Sequence, residues 1–165
     1  MDFSKQQIIY RPLEGMTAIY TVKDGVMSFT CVPEGTSDKV KPSKLYKEFN
    51  PSHPYPEIEP MVQIARTGNS PRRDFSSGAT MYDSSTSFSF RPCDQVCSET
   101  EETREIVTLL ENEDGLKVRH ILTQRKGYRA AELRMELENC GADTTIELAS
   151  SFAISALTPF EEEND

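Results

Sequence analysis

The chain has 165 residues, 18 Lys and Arg against 27 Asp and Glu, and a formal charge of -9. That length accommodates one domain with a real core and falls short of a (β/α)8 barrel, which takes roughly 250 residues. The acidic balance argues against nucleic acid as a partner, because a phosphate backbone is held by excess Lys and Arg. No apolar run approaches the roughly 20 residues of a membrane span and the N-terminal MDFSKQQIIY lacks a signal-peptide core, so the chain reads as cytoplasmic, with no membrane partner.

In chain order, Gln7 to Arg11 fits an edge strand. Residues 17 to 32 fit a hairpin, with TAIYTV and VMSFTCV flanking Lys23-Asp24-Gly25 and with Met27, Phe29 and Cys31 on one face. The character then changes. Six of the ten prolines lie between Pro33 and Pro60, with Lys39, Lys41, Lys44 and Lys47 among them. Proline removes a backbone donor and fixes φ, which predicts a long extended connection over 33 to 60 with a helical hint only at Pro42 to Phe49. From Met61 a strand returns, with Val62, Ile64 and Arg66 on one face, and it breaks at Thr67-Gly68-Asn69-Ser70-Pro71. A polar loop follows, then a predicted strand in which Phe88 and Phe90 alternate with Ser87, Ser89 and Arg91. A predicted turn over 92 to 97 and an acidic run, 99 to 105, come next.

Residues 103 to 155 read as four consecutive strands on short turns. The first, 103 to 110, is a strand by its β-branched content, although Thr103, Ile106, Val107 and Leu110 also suit a helical face. In 116 to 124, Leu116, Val118, His120 and Leu122 alternate with Lys117, Arg119, Ile121 and Thr123. In 129 to 138, Arg129, Ala131, Leu133, Met135 and Leu137 alternate with Ala130, Glu132, Arg134, Glu136 and Glu138. A period of two with one apolar and one charged face is the pattern of an antiparallel strand wet on one side. Gly115 and Gly127 stand where short hairpin connections call for positive φ. The fold class expected is all-β, an antiparallel sandwich with a long Pro-rich loop, spanning 1 to 165 as a single domain.

Few residues announce chemistry. Cys93 and Cys97 are three residues apart, not the two of zinc knuckles and redox motifs, with no His near either; Cys31 and Cys140 show no partner spacing. All four read as reduced thiols, with no metal and no cofactor. Ser76 and Ser77 precede Gly78 but lack the leading glycine of a nucleophile elbow. Arg72, Arg73 and Asp74 form a tight polar cluster suited to an anion or to sugar hydroxyls, since guanidinium is a multi-donor fork; as ordinary loop charges they would instead make local ion pairs. His120 sits on the apolar face of its strand, where a hydrogen-bonded core histidine competes with a ligand or general-base role. His53 lies in a loop with nothing else to mark a metal site. Glu99 to Glu105 and Glu161 to Asp165 are solvated charge runs.

One ordered set of segments resembles a known family. The strand at Met61, the loop with Gly68 and Pro71, Phe75-Ser76-Ser77-Gly78-Ala79-Thr80-Met81, Gly115-Leu116-Lys117-Val118-Arg119-His120, Asn139-Cys140-Gly141 and Glu147-Leu148-Ala149-Ser150 are similar in kind and order to the N-terminal β-domain of family 36 glycoside hydrolases, the microbial α-galactosidases. The resemblance covers residues 57 to 160. It implies a supersandwich domain preceding a catalytic barrel that carries the nucleophile and acid/base aspartates, so no catalytic residue is carried over onto this chain. It also implies the barrel of a parent enzyme and further copies of the chain as partners, and a loop lent to an α-galactoside site, for which Arg72, Arg73 and Asp74 are the candidates. Where the family carries a Gly-Asp-aromatic-Arg element, this chain has Pro54 to Pro60, and it contains no tryptophan. On this resemblance the chain reads as the N-terminal piece of a longer enzyme. The alternatives are a stand-alone carbohydrate-binding module and an aldose-epimerase-like enzyme with His120 as acid.

Overall fold

The computed structural model describes residues 1–40, 58–68, 84–143 and 145–150. It is an antiparallel β-sandwich. Strands β1 (Gln7–Leu13), β2 (Met16–Lys23) and β3 (Val26–Pro33) form one sheet in the order β1-β2-β3. A single 3-10 turn at Ser37–Lys39 follows. After β4 (Gln63–Arg66) and a short helix α1 (Ser85–Ser89), strands β5 (Arg91–Glu99), β6 (Thr103–Glu111), β7 (Leu116–Arg125) and β8 (Ala131–Asn139) form the second sheet in sequence order. The last described strand, β9 (Ile146–Ser150), pairs with β4.

The β2–β3 hairpin forms because its strands are β-branched and aromatic and its turn has the right handedness. Asp24 and Gly25 both take positive φ, 52° and 76°, the two-residue mirror-image turn that matches strand twist. Both faces of this hairpin are covered. Ala18, Tyr20, Val22, Met27 and Phe29 join the inter-sheet core, while Ile19 and Val32 form a smaller cluster with Val40 on the other side. Thr17, Thr21, Ser28 and Thr30 are buried on that outer side as well.

The second sheet is built differently. Its inner face, Ile106, Leu110, Leu116, Val118 and Leu122, closes the core, and Ala131, Leu133, Met135 and Leu137 of β8 pack on it half-buried. Its outer face is charged, with Lys117 to Glu111 at 3.2 Å, Arg134 to Glu136 at 3.3 Å and Arg119 against Glu136. Such exposed pairs contribute about 0–1 kcal/mol each, so the sheet is held by its other face. Burial of a large apolar side chain there is worth about 1.5–3 kcal/mol.

The expected hairpin, the edge strand at Gln7 and the strands 103 to 110, 116 to 124 and 129 to 138 are all present. Four expectations are corrected. Residues 85–89 are helical, because Ser84 caps the turn by accepting from the Ser87 amide at 3.0 Å, and the Ser87 hydroxyl bonds both the amide and the carbonyl of Ile64 on β4. Residues 92–97 belong to β5, an edge strand with a bulge between Pro92 and Asp94, and not to a turn. The fourth strand of the expected series leaves its neighbours to pair with β4, and β5 completes the sheet in its place. Ile121, assigned to the charged face, is 2% exposed. The helical hint at Pro42 to Phe49 lies outside the described residues.

At one end the sheets are clipped together. Gln124 on β7 is 2% exposed; its side-chain oxygen accepts from the Glu14 amide at 2.8 Å, and its amide donates to the carbonyls of Glu14 at 2.8 Å and Tyr128 at 3.0 Å. Glu14 in return accepts from the Gly127 amide at 2.5 Å. At the other end the Asp114-Gly115 turn abuts Gly141 so closely that a Cβ at 141 would run into the Asp114 carbonyl. The Cys140 amide donates to the Gly115 carbonyl at 2.8 Å, and Asp114 holds Arg66 of β4 at 2.6 Å.

Candidate functional site

The candidate sugar-binding residues Arg72, Arg73 and Asp74, the element Phe75 to Met81 and His53 lie outside the described residues. His120 is described, and it lies in the interior between the two sheets. Cross-strand neighbours Thr108 and Met135 flank it in the sheet, and its ring stands edge-on to Phe29 with centroids 5.2 Å apart. Phe29 in turn packs on Tyr20 at 5.1 Å. His120, Tyr20 and Thr108 are each 0% exposed.

The polar atoms of this layer divide into two sets. Arg11 on β1 donates through Nε to the Gln95 side-chain oxygen at 2.9 Å, and Gln95 on β5 donates to the Thr108 hydroxyl at 3.0 Å, a relay linking the two sheets. By contrast the Tyr20 hydroxyl and both ring nitrogens of His120 have no hydrogen-bond partner among the described residues. The expected core placement of His120 holds; the expected hydrogen-bond satisfaction does not. Burial, which penalises the charged imidazolium, pushes its pKa down to about 4, so it is neutral at pH 7. Burial likewise pushes the Tyr20 phenol above its ordinary range and the Cys31 thiol up to about 11. The imidazole is fully covered and presents no atom to solvent.

Among the described residues, surface clefts of ligand size occur at both ends of the sandwich, within the roughly 300–1,000 Å³ usual for small molecules. One of about 370 Å³ lies beside the β2–β3 turn, with Lys23, Asp24, Phe88 and Arg91 on its walls. A second of about 380 Å³ shares Ser89 and Arg91 with it and adds Glu111, Glu113 and Asp114. The third, about 440 Å³, lies at the opposite end of β2, between Glu14, Glu34, Arg104 and Arg129. Two of the three arginines on their walls, Arg91 and Arg104, are already engaged. Arg91 donates to the Phe88 and Phe90 carbonyls at 2.8 and 3.0 Å, closing the end of α1, and its stem packs against Gly25. Arg104 is paired with Glu99 at 3.2 Å, and Lys126 with the same carboxylate at 2.7 Å, which together hold Glu99 below the usual carboxylate range.

Among the described residues no group of three His, Cys, Asp or Glu side chains is placed to hold a metal ion. All four cysteines are free thiols. No described helix is long and apolar enough to cross a membrane. Gln124, Gln95 and Arg11, which organise the interior polar contacts, escaped notice in the sequence; Gln124 alone carried a signal, since it continues the 116, 118, 120, 122 alternation as a polar residue next to a glycine turn. Set against protein families, curated proteins and solved structures, the chain matches none.

Proposed function

We propose that this chain is a catalytically silent β-sandwich scaffold of the α-galactosidase type, acting beside a catalytic barrel that hydrolyses α-galactosides and contributing scaffold and subunit contacts. The observation that carries the reading is the closed interior. The histidine and tyrosine that look most reactive are buried against Phe29, and two cleft arginines, Arg91 and Arg104, are tied to helix carbonyls and to Glu99. The family resemblance supplies the substrate class.

Two measurements test it. Reading the gene beyond the codon for Asp165 should reveal a barrel with catalytic aspartates, and a stop codon there would overturn the scaffold role. The isolated chain should release no galactose from an aryl α-galactoside and give no calorimetric heat with galactose or raffinose at millimolar concentration. Turnover would reinstate an enzyme, and saturable heat would favour a carbohydrate-binding module.

A further inference from the structure

The strand edges of the sandwich are not equally protected. An exposed edge is a row of unpaired amides and carbonyls, and proteins blunt it with proline, bulges or covering segments. Strand β1 carries Pro12; β3 ends in Pro33 and has its Met27 carbonyl occupied by the Met61 amide at 2.8 Å; β5 carries Pro92 and a bulge. Strand β8 has none of these. It runs nine residues without proline, its register with β7 is unbroken from Gln124↔Ala131 to Leu116↔Asn139, and among the described residues nothing pairs with its other side.

We propose that this edge is the site at which a second copy of the chain docks, by antiparallel β8–β8 pairing about a two-fold axis at Met135. This rests on the scaffold reading above and gives its subunit contact a location. The argument is one of complementarity. With Met135 opposite itself, Leu133 meets Leu137 of the second copy on the inner face, extending a row that is only half-buried in one copy. On the outer face Arg134 meets Glu136 of the second copy, twice, at the centre of the contact. These two side chains are already ordered there, with Arg119 and Arg134 both on Glu136 and with 58% and 42% of the Arg134 and Glu136 side chains exposed. Glu132 meets Glu138 at the ends, where Glu138 also faces Lys117 of its own sheet. Sliding the second copy by two residues, so that Arg134 faces itself, sets Arg134 against Arg134 and Glu132 against Glu136 twice, and loses both Arg–Glu pairs. Two facing four-stranded sheets thereby become one continuous eight-stranded sheet, and the open edge disappears.

Sedimentation velocity on the full chain tests this. The wild type should be a dimer at micromolar concentration, weakened by salt. Arg134→Glu, which sets like charges face to face at both central pairs, should raise the dissociation constant by about tenfold or more. The charge swap Arg134→Glu with Glu136→Arg should restore it, while circular dichroism confirms that each variant is folded. A monomeric wild type, a dimer indifferent to Arg134→Glu, or a swap that fails to restore association would each overturn the proposal. A dimer from a gene that encodes no barrel would leave this contact standing and remove the glycosidase reading; a monomer from a gene that does encode one would do the reverse.

Discussion

Gln124 and His120 lie four residues apart on the same face of β7, both closed off from solvent, and their surroundings are opposite. Gln124 meets the backbone of two turns and uses both ends of its amide, with one hydrogen bond accepted and two donated. His120 meets an aromatic ring and two side chains of its own sheet, and neither nitrogen finds a partner among the described residues. The difference shows that burial alone does not say whether a polar group stabilises a core. Turns bring free backbone groups to a sandwich end, whereas the sandwich middle has its backbone already spent in the ladders, so a polar side chain there must find another side chain or go without.

The largest effect at pH 7 is expected at the satisfied residue. Gln124→Leu keeps the volume but leaves the Glu14 amide and the Glu14 and Tyr128 carbonyls without their partner, and should cost about 2–3 kcal/mol in urea unfolding. A loss below about 0.5 kcal/mol would mean that water replaces the amide, and the contrast with His120 would collapse.

The second effect depends on pH. His120 titrates near 4 when folded and near 6.5 when unfolded, so the unfolded chain binds the extra proton first. Stability from this group is therefore complete above about pH 6.5, declines as pH falls and is lost by about pH 4, on the order of 3 kcal/mol in all. His120→Leu should flatten that part of the stability curve and leave stability at pH 7 within about 1 kcal/mol of wild type, since it removes unpartnered atoms along with the ring. An unchanged acid slope in the variant would show that the imidazole is protonated or solvated in the fold.

The smallest effect is expected for Tyr20→Phe. Deleting a hydroxyl that meets no partner at hydrogen-bond geometry among the described residues should change stability by less than about 1 kcal/mol, and a larger loss would reveal a hydrogen bond, with Thr108 the nearest candidate.

The meander was legible in the sequence because, Ile121 apart, alternation and glycine turns agree from Leu116 to Asn139, so local propensity and tertiary placement point the same way. The misreadings have local causes. Serine and phenylalanine alternate at 87 to 90 with the period of a strand, but Ser84 supplies a helix cap and Ser87 bonds to β4, contacts that no single-segment pattern contains. Strand β5 is an edge with polar groups on both sides, and Pro92 and Asp94 mimic a turn, so it has no alternation to detect. The departure of β9 to β4 is a long-range choice between two available edges. At the candidate site, alternation placed His120 inside, while its lack of partners depends on Phe29, ninety-one positions earlier in the chain. The relay from Arg11 through Gln95 to Thr108 joins three strands and leaves no mark on any one of them.

The approach of Gly141 to the Asp114 carbonyl turns a missing side chain into a constraint on heredity. Position 141 has an alphabet of one letter, because even a methyl group there would push the turn away. The push would travel, since Asp114 grips Arg66 and Arg66 pairs with β9, so the β4–β9 ribbon would shear against the meander. A library selected only for folding should therefore randomise freely across the charged face of β8 and return glycine at 141 every time.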